Sequence, residues 1–444
     1  MYLLKSVSLV NENNKTICDI LIKNGRFEKI DNTVSVPYKI EEINAEKLIA
    51  LPGAIDDQVH FREPGLTHKA TIETESRAAI AGGVTSYMDM PNTNPPALTQ
   101  ELLAQKYEIA RHTSAANYSF YMGTSNDNYD EVMRTDPKII CGIKIFMGSS
   151  TGNLLVDSEP ILEKIFSYSP TLIATHCEDE KTILRNIELY KSQYGDTIPA
   201  HLHPSIRTHE ACILSSQKAI TIARKHKTRL HLLHITTLQE AQLLADIKKQ
   251  SIDHITTEAC VHHIWFDENA YSTLYHKIKC NPAIKSKADK EAIRQAIIDD
   301  TIDVIATDHA PHTWEEKQQN YWSAPSGLPL VQHSYLMMLD LYKEGIFPIE
   351  KIVEKMAHKP ADIFRIKERG YVREGYHADL VLLNSNKSHK VTNTNIHYKC
   401  AWSPLTDHTF SHTIDATFVN GIRKYHQGKF ENEKINGQRL LFDR

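Results

Sequence analysis

Five side chains of types that bind metal ions follow apolar stretches of this sequence, each close to the point where the stretch ends. They are His60, Lys144, His176, His234 and Asp308. Neutral imidazole is the commonest nitrogen ligand of zinc, and a carboxylate can bind a metal ion and also take a proton from its bound water. Burial lowers the pKa of a lysine amine, and the free amine can add CO2 to form a carbamate that bridges two metals. Together these side chains predict a metal site.

Each of these residues also has an ordinary structural alternative. A histidine at a strand end is often packed against the core or bonded to a carbonyl. A lone buried lysine is more often ion-paired, or extended so that its amine reaches water. Asp308, in the context Asp-His-Ala-Pro, could cap a helix instead. The alternatives stay open for each residue alone, and the prediction depends on their shared position.

The stretch PGAIDDQVHFREPG at 52–65 adds two observations. Alternate residues of a strand point to the same side about 6.6 Å apart, so Asp56, Gln58 and His60 share one face. Arg62 follows His60 closely, and a guanidinium beside a metal-binding histidine suits an anionic substrate.

Seven other histidines lie in polar or loop-like segments or directly beside another histidine, and the sequence predicts surface or loop positions for them. They are His201, His203, His226, His262, His263, His358 and His377.

Eight apolar, β-branched runs alternate with mostly helical segments in the middle of the chain. The runs are AIDDQVHF, GVTSYMDM, NYSFYMGT, IICGIKIFM, PTLIATHC, RLHLLHIT, DHITTEAC and DVIATDHA. This count predicts an α/β fold with a (β/α)8 TIM-type barrel, whose strands converge at their carboxyl ends, where active sites form. The five candidate residues would therefore meet on one face.

Both ends of the chain have the sequence pattern of short β-strands. The pairs Asn24-Gly25 and Asn420-Gly421 are typical of tight hairpin turns. We predict a small β-sandwich domain assembled from residues 1–51 and 370–444, beside a barrel domain at 52–369.

Composition excludes several classes of protein. Lys and Arg number 51 against 55 Asp and Glu, a net charge of −4, so nucleic acid is not an expected partner. The seven cysteines are scattered without a CxxC pair, which favours free thiols in a reducing compartment. The chain has neither a signal-peptide pattern nor an apolar run long enough for a membrane span, so we expect a cytoplasmic protein.

The chain resembles the cyclic amidohydrolases, and among them the longer type of dihydroorotase. The resemblance runs from about residue 50 to 385 and is carried by HFREPG (60–65), MPNTNPP (90–96) and TDHAPH with Lys317 (307–317). Shorter matches are GIKIFMG, NPAIK (281–285) and SGLP (326–329). The family fold is a (β/α)8 barrel, in agreement with the strand count.

The resemblance implies reversible hydrolysis of the ring amide of dihydroorotate, a small-molecule substrate, in pyrimidine biosynthesis. It implies one or two Zn²⁺ ions per chain, an N-carboxylated Lys144, and Asp308 as both ligand and general base. The metal ligands would be His60, Lys144, His176, His234 and Asp308. The substrate contacts would be His60, Arg62, Asn94, Asn281, His312, Ser326 and Gly327.

Two positions depart from the family pattern. Gln58 stands where the family has the first histidine of a His-x-His pair, and an amide oxygen is a poorer zinc ligand than imidazole. We expect Asp56 or Gln58 to complete a weaker first metal site, or one zinc to suffice. Lys285 stands where relatives often have arginine.

Because Gln58 replaces a metal-binding histidine of the family, two other kinds of function stay open. One is an allantoinase or a hydantoinase or dihydropyrimidinase type of enzyme, and another is a catalytically silent amidohydrolase-like structural partner. The resemblance leaves room for a homodimer or for association with aspartate carbamoyltransferase, but no segment has the pattern of a docking motif. Residues 149–153 and 312–326 are candidates for a lid over the site.

Overall fold

The structure is a computed structural model and describes residues 1–148, 154–432 and 435–444. Numbered in chain order, the strands within these residues are β1 (Tyr2–Asn11), β2 (Asn14–Lys23), β3 (Arg26–Asp31), β4 (Glu41–Asn44), β5 (Leu48–Pro52), β6 (Ala54–Val59), β7 (Val84–Asp89), β8 (Asn117–Phe120), β9 (Met122–Gly123), β10 (Ile143–Phe146), β11 (Ile173–His176), β12 (Leu230–Leu232), β13 (Ile255–Cys260), β14 (Val304–Ala306), β15 (Leu380–Asn384), β16 (His389–Lys390), β17 (Thr409–Phe410), β18 (Thr413–Val419), β19 (Ile422–His426) and β20 (Lys429–Phe430).

The α-helices of the same residues are α1 (Ile72–Ala81), α2 (Gln100–Thr113), α3 (Tyr129–Met133), α4 (Glu159–Tyr168), α5 (Glu180–Tyr194), α6 (His203–Ile206), α7 (His209–His226), α8 (Leu238–Lys249), α9 (Val261–Trp265), α10 (Tyr271–Leu274), α11 (Lys287–Ile298), α12 (Trp314–Lys317), α13 (Ser334–Lys343), α14 (Ile349–Val353) and α15 (Lys359–Phe364). Short 3-10 turns lie at Ala200–Leu202, Glu268–Ala270 and Tyr275–Ile278, and a π-helical turn at Glu354–His358.

The strands from β6 to β14 form a closed parallel ring. They pair in the orders β6-β7-β8 and β9-β10-β11-β12-β13-β14, and β8 runs almost directly into β9. A parallel bridge between Val59 and His309 joins the last position to the first, and the His60 amide donates to the His309 carbonyl at 2.7 Å. With β8 and β9 as one position, each of the eight predicted runs contains one barrel strand. The predicted barrel is confirmed.

Side-chain caps determine where many of the surrounding helices begin. In each case an oxygen of the residue before the helix accepts a hydrogen bond from a backbone amide of the first turn, which would otherwise lack a partner. The capping residues are Thr71, Thr99, Asp179, Thr208, Thr237 and Ser286. No helix within the described residues combines the length and the hydropathy needed to cross a bilayer.

Strands from both ends of the chain form one nine-stranded mixed sheet, as predicted. Its order is β20-β19-β18-β15-β5-β1-β2-β3, with β4 on β1. The two predicted turns join β2 to β3 and β18 to β19. Both central residues of each turn have positive φ, which a two-residue hairpin with right-handed strand twist requires.

The last ten residues return to the barrel. The Leu440 amide donates to the Tyr118 carbonyl at 2.9 Å. Leu440 and Phe442 pack in a buried cluster with Ile55 of β6 and Phe364 of α15. The predicted domain boundaries at 51 and 370 stay a prediction, since the terminal residues contact both regions.

Candidate active site

A cavity of about 260 Å³ lies at the carboxyl ends of the barrel strands. It is lined by Gln58, His60, Arg62, Asn92, Lys144, Phe146, His176, His234, Asn281, Asp308, Ala310, His312, Pro325, Ser326 and Gly327. Every predicted site residue except Asn94 lines this cavity. The barrel therefore brings together residues that are up to 269 positions apart, from 58 to 327.

His176 and His234 direct ring nitrogens at each other. His176 Nδ1 and His234 Nε2 are 2.9 Å apart, and both side chains are buried. Burial lowers the pKa of both imidazoles, that of His234 well below its usual value, so both are neutral at pH 7. The second nitrogen of His176 lies 3.0 Å from Oε2 of Glu178, which also accepts from Arg207. A carboxylate on the outer nitrogen orients a histidine as a metal ligand.

Lys144 completes this side of the cavity. Its side chain is buried, and its Nζ lies 4.6 Å from the centre of the Phe146 ring. Burial lowers the pKa of the amine to about 7, although Asp308 and Glu258 act to raise it. A substantial fraction of the amine is therefore neutral at pH 7, which is the form that adds CO2. We call Lys144, His176 and His234 the histidine–lysine half of the cavity, and its donors fit a zinc ion.

The opposite side contains Gln58, His60 and Asp308, which we call the aspartate half. His60 Nε2 lies 2.9 Å from Asp308 Oδ1, and Gln58 Nε2 donates to the same oxygen at 3.2 Å. Burial acts to raise the pKa of Asp308, but the hydrogen bond and charge of His60 outweigh it and the pKa is lowered. Asp308 is therefore an ionised carboxylate at neutral pH.

Gln58 does not present the atom that a metal would need. Its amide nitrogen faces Asp308, while its oxygen lies 3.7 Å from the Cys260 sulfur. A nitrogen that carries two protons has no free lone pair for a cation. In this arrangement Gln58 is a hydrogen-bond donor to Asp308, and its role as a weak metal ligand stays a prediction.

Three residues of the cavity have left-handed backbone conformations. Arg62 has φ of 68°, His234 of 41° and Asp308 of 46°. Such conformations are unfavourable for residues other than glycine, and they cluster at functional sites where the surrounding fold enforces them. Each lies just past a barrel strand, where the turn directs the side chain into the cavity.

Arg62 has the pattern of an anion-binding residue. Its Nε donates to the Pro311 carbonyl at 3.0 Å, and its Nη2 lies 3.0 Å from His312 Nε2. Burial lowers its pKa to about 10, so the guanidinium is still charged at pH 7. No carboxylate forms an ion pair with it in the part of the chain that the structure describes. Its charge therefore faces the cavity without a protein counter-ion.

The asparagine of the motif MPNTNPP that lines the cavity is Asn92, and the expectation of Asn94 as a substrate contact stays a prediction. Asn94 is exposed and does not line the cavity, whereas Asn92 does, with its Oδ1 2.7 Å from His60 Nδ1. Both residues belong to the motif MPNTNPP, and only the path of the loop after β7 distinguishes them. Asn92 orients His60 so that its other nitrogen faces Asp308.

The segment 325–327 forms the remaining wall. The buried amine of Lys317 donates to the Pro325 and Gly327 carbonyls at 2.9 and 3.0 Å, which holds this segment in place. His312 Nε2 lies 3.0 Å from the Ser326 carbonyl. Gly327 has φ of 142°, and a Cβ there would lie 2.4 Å from the Ala310 carbonyl oxygen. Of the two lid candidates, 149–153 lies outside the described residues, and 312–326 supplies part of the wall.

Sequence reasoning missed several buried groups. The surface or loop positions expected for four histidines are wrong, because His203, His262, His263 and His358 are buried. Glu178 and Lys69 were also missed. The spacing of Glu178, two residues after His176, was an available signal, whereas nothing local indicates that Lys69 reaches within 3.1 Å of His312 Nδ1.

Comparison with known proteins identifies the family of this chain. The Amidohydrolase family matches residues 49–423. A dihydroorotase of Methanosphaera stadtmanae is 30% identical over 413 residues, covering 91% of this chain and 93% of that protein. A dihydroorotase of Elusimicrobium minutum is 30% identical over 438 residues, covering 96% and 98%. In fold, the chain is similar to the L-hydantoinase (dihydropyrimidinase) of Arthrobacter aurescens, with a TM-score of 0.94 at 23% identity over 99% of each chain.

Proposed function

Since this chain belongs to the amidohydrolase family, we propose that it is a dihydroorotase, a cyclic amidohydrolase acting on a small molecule. It would hydrolyse the ring amide of dihydroorotate to N-carbamoyl-aspartate and catalyse the reverse reaction. The relatives that share 30% identity over nearly their whole length are dihydroorotases, which supports this substrate.

The observation that carries the proposal is the charge of Arg62. A buried guanidinium without a protein counter-ion is costly, and a substrate carboxylate supplies the missing charge. His312 lies 3.0 Å from the guanidinium and Asn92 lines the same cavity, and both would complete the carboxylate site. Dihydropyrimidines and simple hydantoins have no ring carboxylate, so they would leave Arg62 uncompensated. This distinguishes the proposed substrate from those of the hydantoinases that share the fold.

We assign the proposed metal to the histidine–lysine half, with Lys144 N-carboxylated, and to His60 and Asp308 where a second ion binds. A bound Zn²⁺ ion would supply the Lewis acidity that makes water a nucleophile at neutral pH. Zinc is proposed here on the donor set: two neutral imidazoles and a carbamate oxygen are ligands that zinc accepts.

The position of Asp308 and its lowered pKa support a role as the general base. Its Oδ1 accepts from Gln58 and lies 2.9 Å from His60 Nε2, while no hydrogen bond to Oδ2 is found within the described residues. Oδ2 would take a proton from the attacking water and deliver it to the ring nitrogen that leaves. Asn281 and the backbone at Ser326 and Gly327 line the cavity and would position the ring.

The test compares substrates in the wild-type enzyme and in Arg62→Gln. The wild type should hydrolyse dihydroorotate and cyclise N-carbamoyl-aspartate, with far lower kcat/KM for hydantoin and dihydrouracil. Arg62→Gln should raise the KM for dihydroorotate strongly, by roughly 10- to 100-fold for one charged hydrogen-bonding partner. Lys399→Gln, a change of an exposed cation, is the matched control.

Two outcomes would contradict the proposal. Equal kinetic constants in wild type and Arg62→Gln would contradict the proposal that Arg62 binds the substrate carboxylate. Zinc-loaded enzyme that is inactive in both directions would favour the silent structural partner that Gln58 leaves open. Metal analysis of the same sample distinguishes a silent protein from one that has merely lost its ion.

A further inference from the structure

Three ionisable side chains lie together inside the barrel, outside the cavity described above. Asp57 belongs to β6, His231 to β12 and Glu258 to β13, and each is 0% exposed. We call them the buried triad. His231 precedes the cavity residue His234 by three positions, so the triad lies closer to the amino ends of the strands.

The triad has the spacing of a metal-binding set. His231 Nε2 is 3.0 Å from Asp57 Oδ2 and 3.9 Å from Glu258 Oε2. One donor atom from each of the three residues lies within 4.8 Å of the others. Ligand atoms bound at about 2.0–2.2 Å to one zinc ion are separated by similar distances.

The polar atoms of the triad lack ordinary partners. Both Asp57 oxygens, Glu258 Oε2 and His231 Nε2 make no hydrogen bond with any described residue. This holds for His231 Nε2 and Asp57 Oδ2 although they are 3.0 Å apart, because the two are not aligned for a hydrogen bond. Buried polar atoms without partners are uncommon in native proteins, and a bound ion or water is one explanation for them; here four such atoms belong to three residues that face one another.

The other nitrogen of His231 has a partner of its own. His231 Nδ1 lies 2.8 Å from the Thr256 hydroxyl oxygen, which lies 3.3 Å from the Leu230 carbonyl. When Nδ1 carries the hydrogen of the neutral imidazole, the lone pair of Nε2 faces the carboxylate oxygens and can bind a cation.

We propose that Asp57, His231 and Glu258 bind a divalent metal ion, with Zn²⁺ as the best match to two carboxylates and one imidazole. Two ionised carboxylates carry a charge of −2, which one divalent ion neutralises, whereas without an ion burial and the charge of Asp57 raise the pKa of Glu258 and favour its neutral form. A proton on Glu258 or on His231 Nε2 would serve one contact, whereas an ion would contact a donor atom of all three residues. Burying an uncompensated charge is costly, so the ion is the better solution.

The triad is linked to the cavity without sharing a ligand with it. Glu258 Oε1 accepts from the backbone amide of His234 at 3.1 Å and lies 3.3 Å from the Cys260 sulfur. Asp57 directly precedes Gln58. An ion held by the triad would therefore fix the strands that carry His234 and Gln58, and its role would be structural.

Metal content is the direct test. Enzyme purified from zinc-supplemented cells is desalted and its zinc is counted by mass spectrometry. Asp57→Asn, which keeps the side-chain shape, should contain about one zinc fewer per chain than the wild type. Glu240→Gln is the control, because Glu240 is also buried but is hydrogen-bonded by Ser216 and Thr237.

A double variant separates this ion from the catalytic metal. Lys144→Ala with His176→Ala should lose activity but keep the zinc bound by the triad. Inactivity of the wild type would count against the proposed function and not against this site, because the zinc count does not depend on turnover. Equal zinc content in wild type and Asp57→Asn would overturn the triad proposal.

A second measurement covers the case in which Asp57→Asn does not fold. Crystals of the wild-type enzyme, measured at the zinc absorption edge, should show an anomalous peak between Asp57, His231 and Glu258. Crystals that show a peak at His176 and His234 but none at the triad would overturn the proposal. Such a result would assign the triad to a proton-bridged ion pair.

Discussion

At the ends of β10, β11 and β12, the histidine–lysine half directs two imidazole nitrogens at each other from 2.9 Å, and its lysine is buried and lines the same cavity. At the ends of β6 and β14, the aspartate half satisfies its own groups, since Asp308 Oδ1 is contacted by both His60 and Gln58. Ligand atoms that lack a partner of opposite charge are stabilised most by a bound cation. Ligand atoms that already take part in hydrogen bonds must give those bonds up to bind a cation. We therefore expect tight zinc binding in the histidine–lysine half and weak binding in the aspartate half.

The largest effect should come from Lys144→Ala. Without the amine no carbamate forms, so we expect zinc to be lost and kcat to fall by roughly 10⁴-fold, the scale for loss of an essential group. Steady-state kinetics and metal analysis measure both. Lys355→Met is the matched control, because Lys355 is also buried but contacts Asp300 away from the cavity. A variant that kept full zinc content would show that Lys144 is not a ligand.

Asp308→Asn tests whether the two halves act separately. We expect kcat to fall by about 10²- to 10⁴-fold, because the proposed general base is lost. Zinc in the histidine–lysine half should be retained, since none of its three side chains is changed. Asp303→Asn, at a carboxylate paired with Lys248, is the control. Loss of all zinc in Asp308→Asn would mean that the halves form one cooperative site.

Glu178→Gln replaces the carboxylate that lies 3.0 Å from His176 Nε2 by a neutral amide. The carboxylate orients the imidazole, and loss of such a partner lowers metal affinity by about 10- to 100-fold. Zinc competition with a chelator measures the change, and the exposed Glu188→Gln is the control. Unchanged affinity would show that the His176 ring is positioned by packing alone.

The proposed carboxylation of Lys144 should depend on pH. The pKa of the amine is lowered to about 7 by burial, and only the neutral form adds CO2. Raising the pH through 7 deprotonates the amine, so reactivation of metal-free enzyme at constant dissolved CO2 should accelerate roughly tenfold from pH 6 to pH 8. Stopped assays after addition of zinc measure this rate. A rate that fell with rising pH would contradict the assignment.

Gln58→His should give the smallest effect and alter the aspartate half directly. An imidazole in place of the amide adds a ligand, so we expect higher zinc occupancy and a change in kcat of only about two- to fivefold, within the worth of one hydrogen-bonding group. Titration of metal-free enzyme with zinc measures the stoichiometry. An unchanged stoichiometry would mean that one ion is all this cavity binds.

Much of the fold and of the cavity followed from local sequence patterns. The eight apolar runs predicted the barrel strands, and two Asn-Gly pairs predicted the hairpins of the terminal sheet. Because parallel strands end on one face, His60, Lys144, His176, His234 and Asp308 were predicted to meet, and all five line one cavity.

Other features depended on contacts that no local pattern encodes. Asn92 and Asn94 have the same side chain in one motif, and only the backbone after β7 determines which of them faces His60. Asp57, His231 and Glu258 come from three strands, so their meeting depends on the register of the whole ring. The sequence by itself determined which side chains stand at strand ends, since alternation and strand direction are local properties. Only the tertiary structure decided which buried charges share a layer and which of them lack a partner, because those contacts form only when the ring closes.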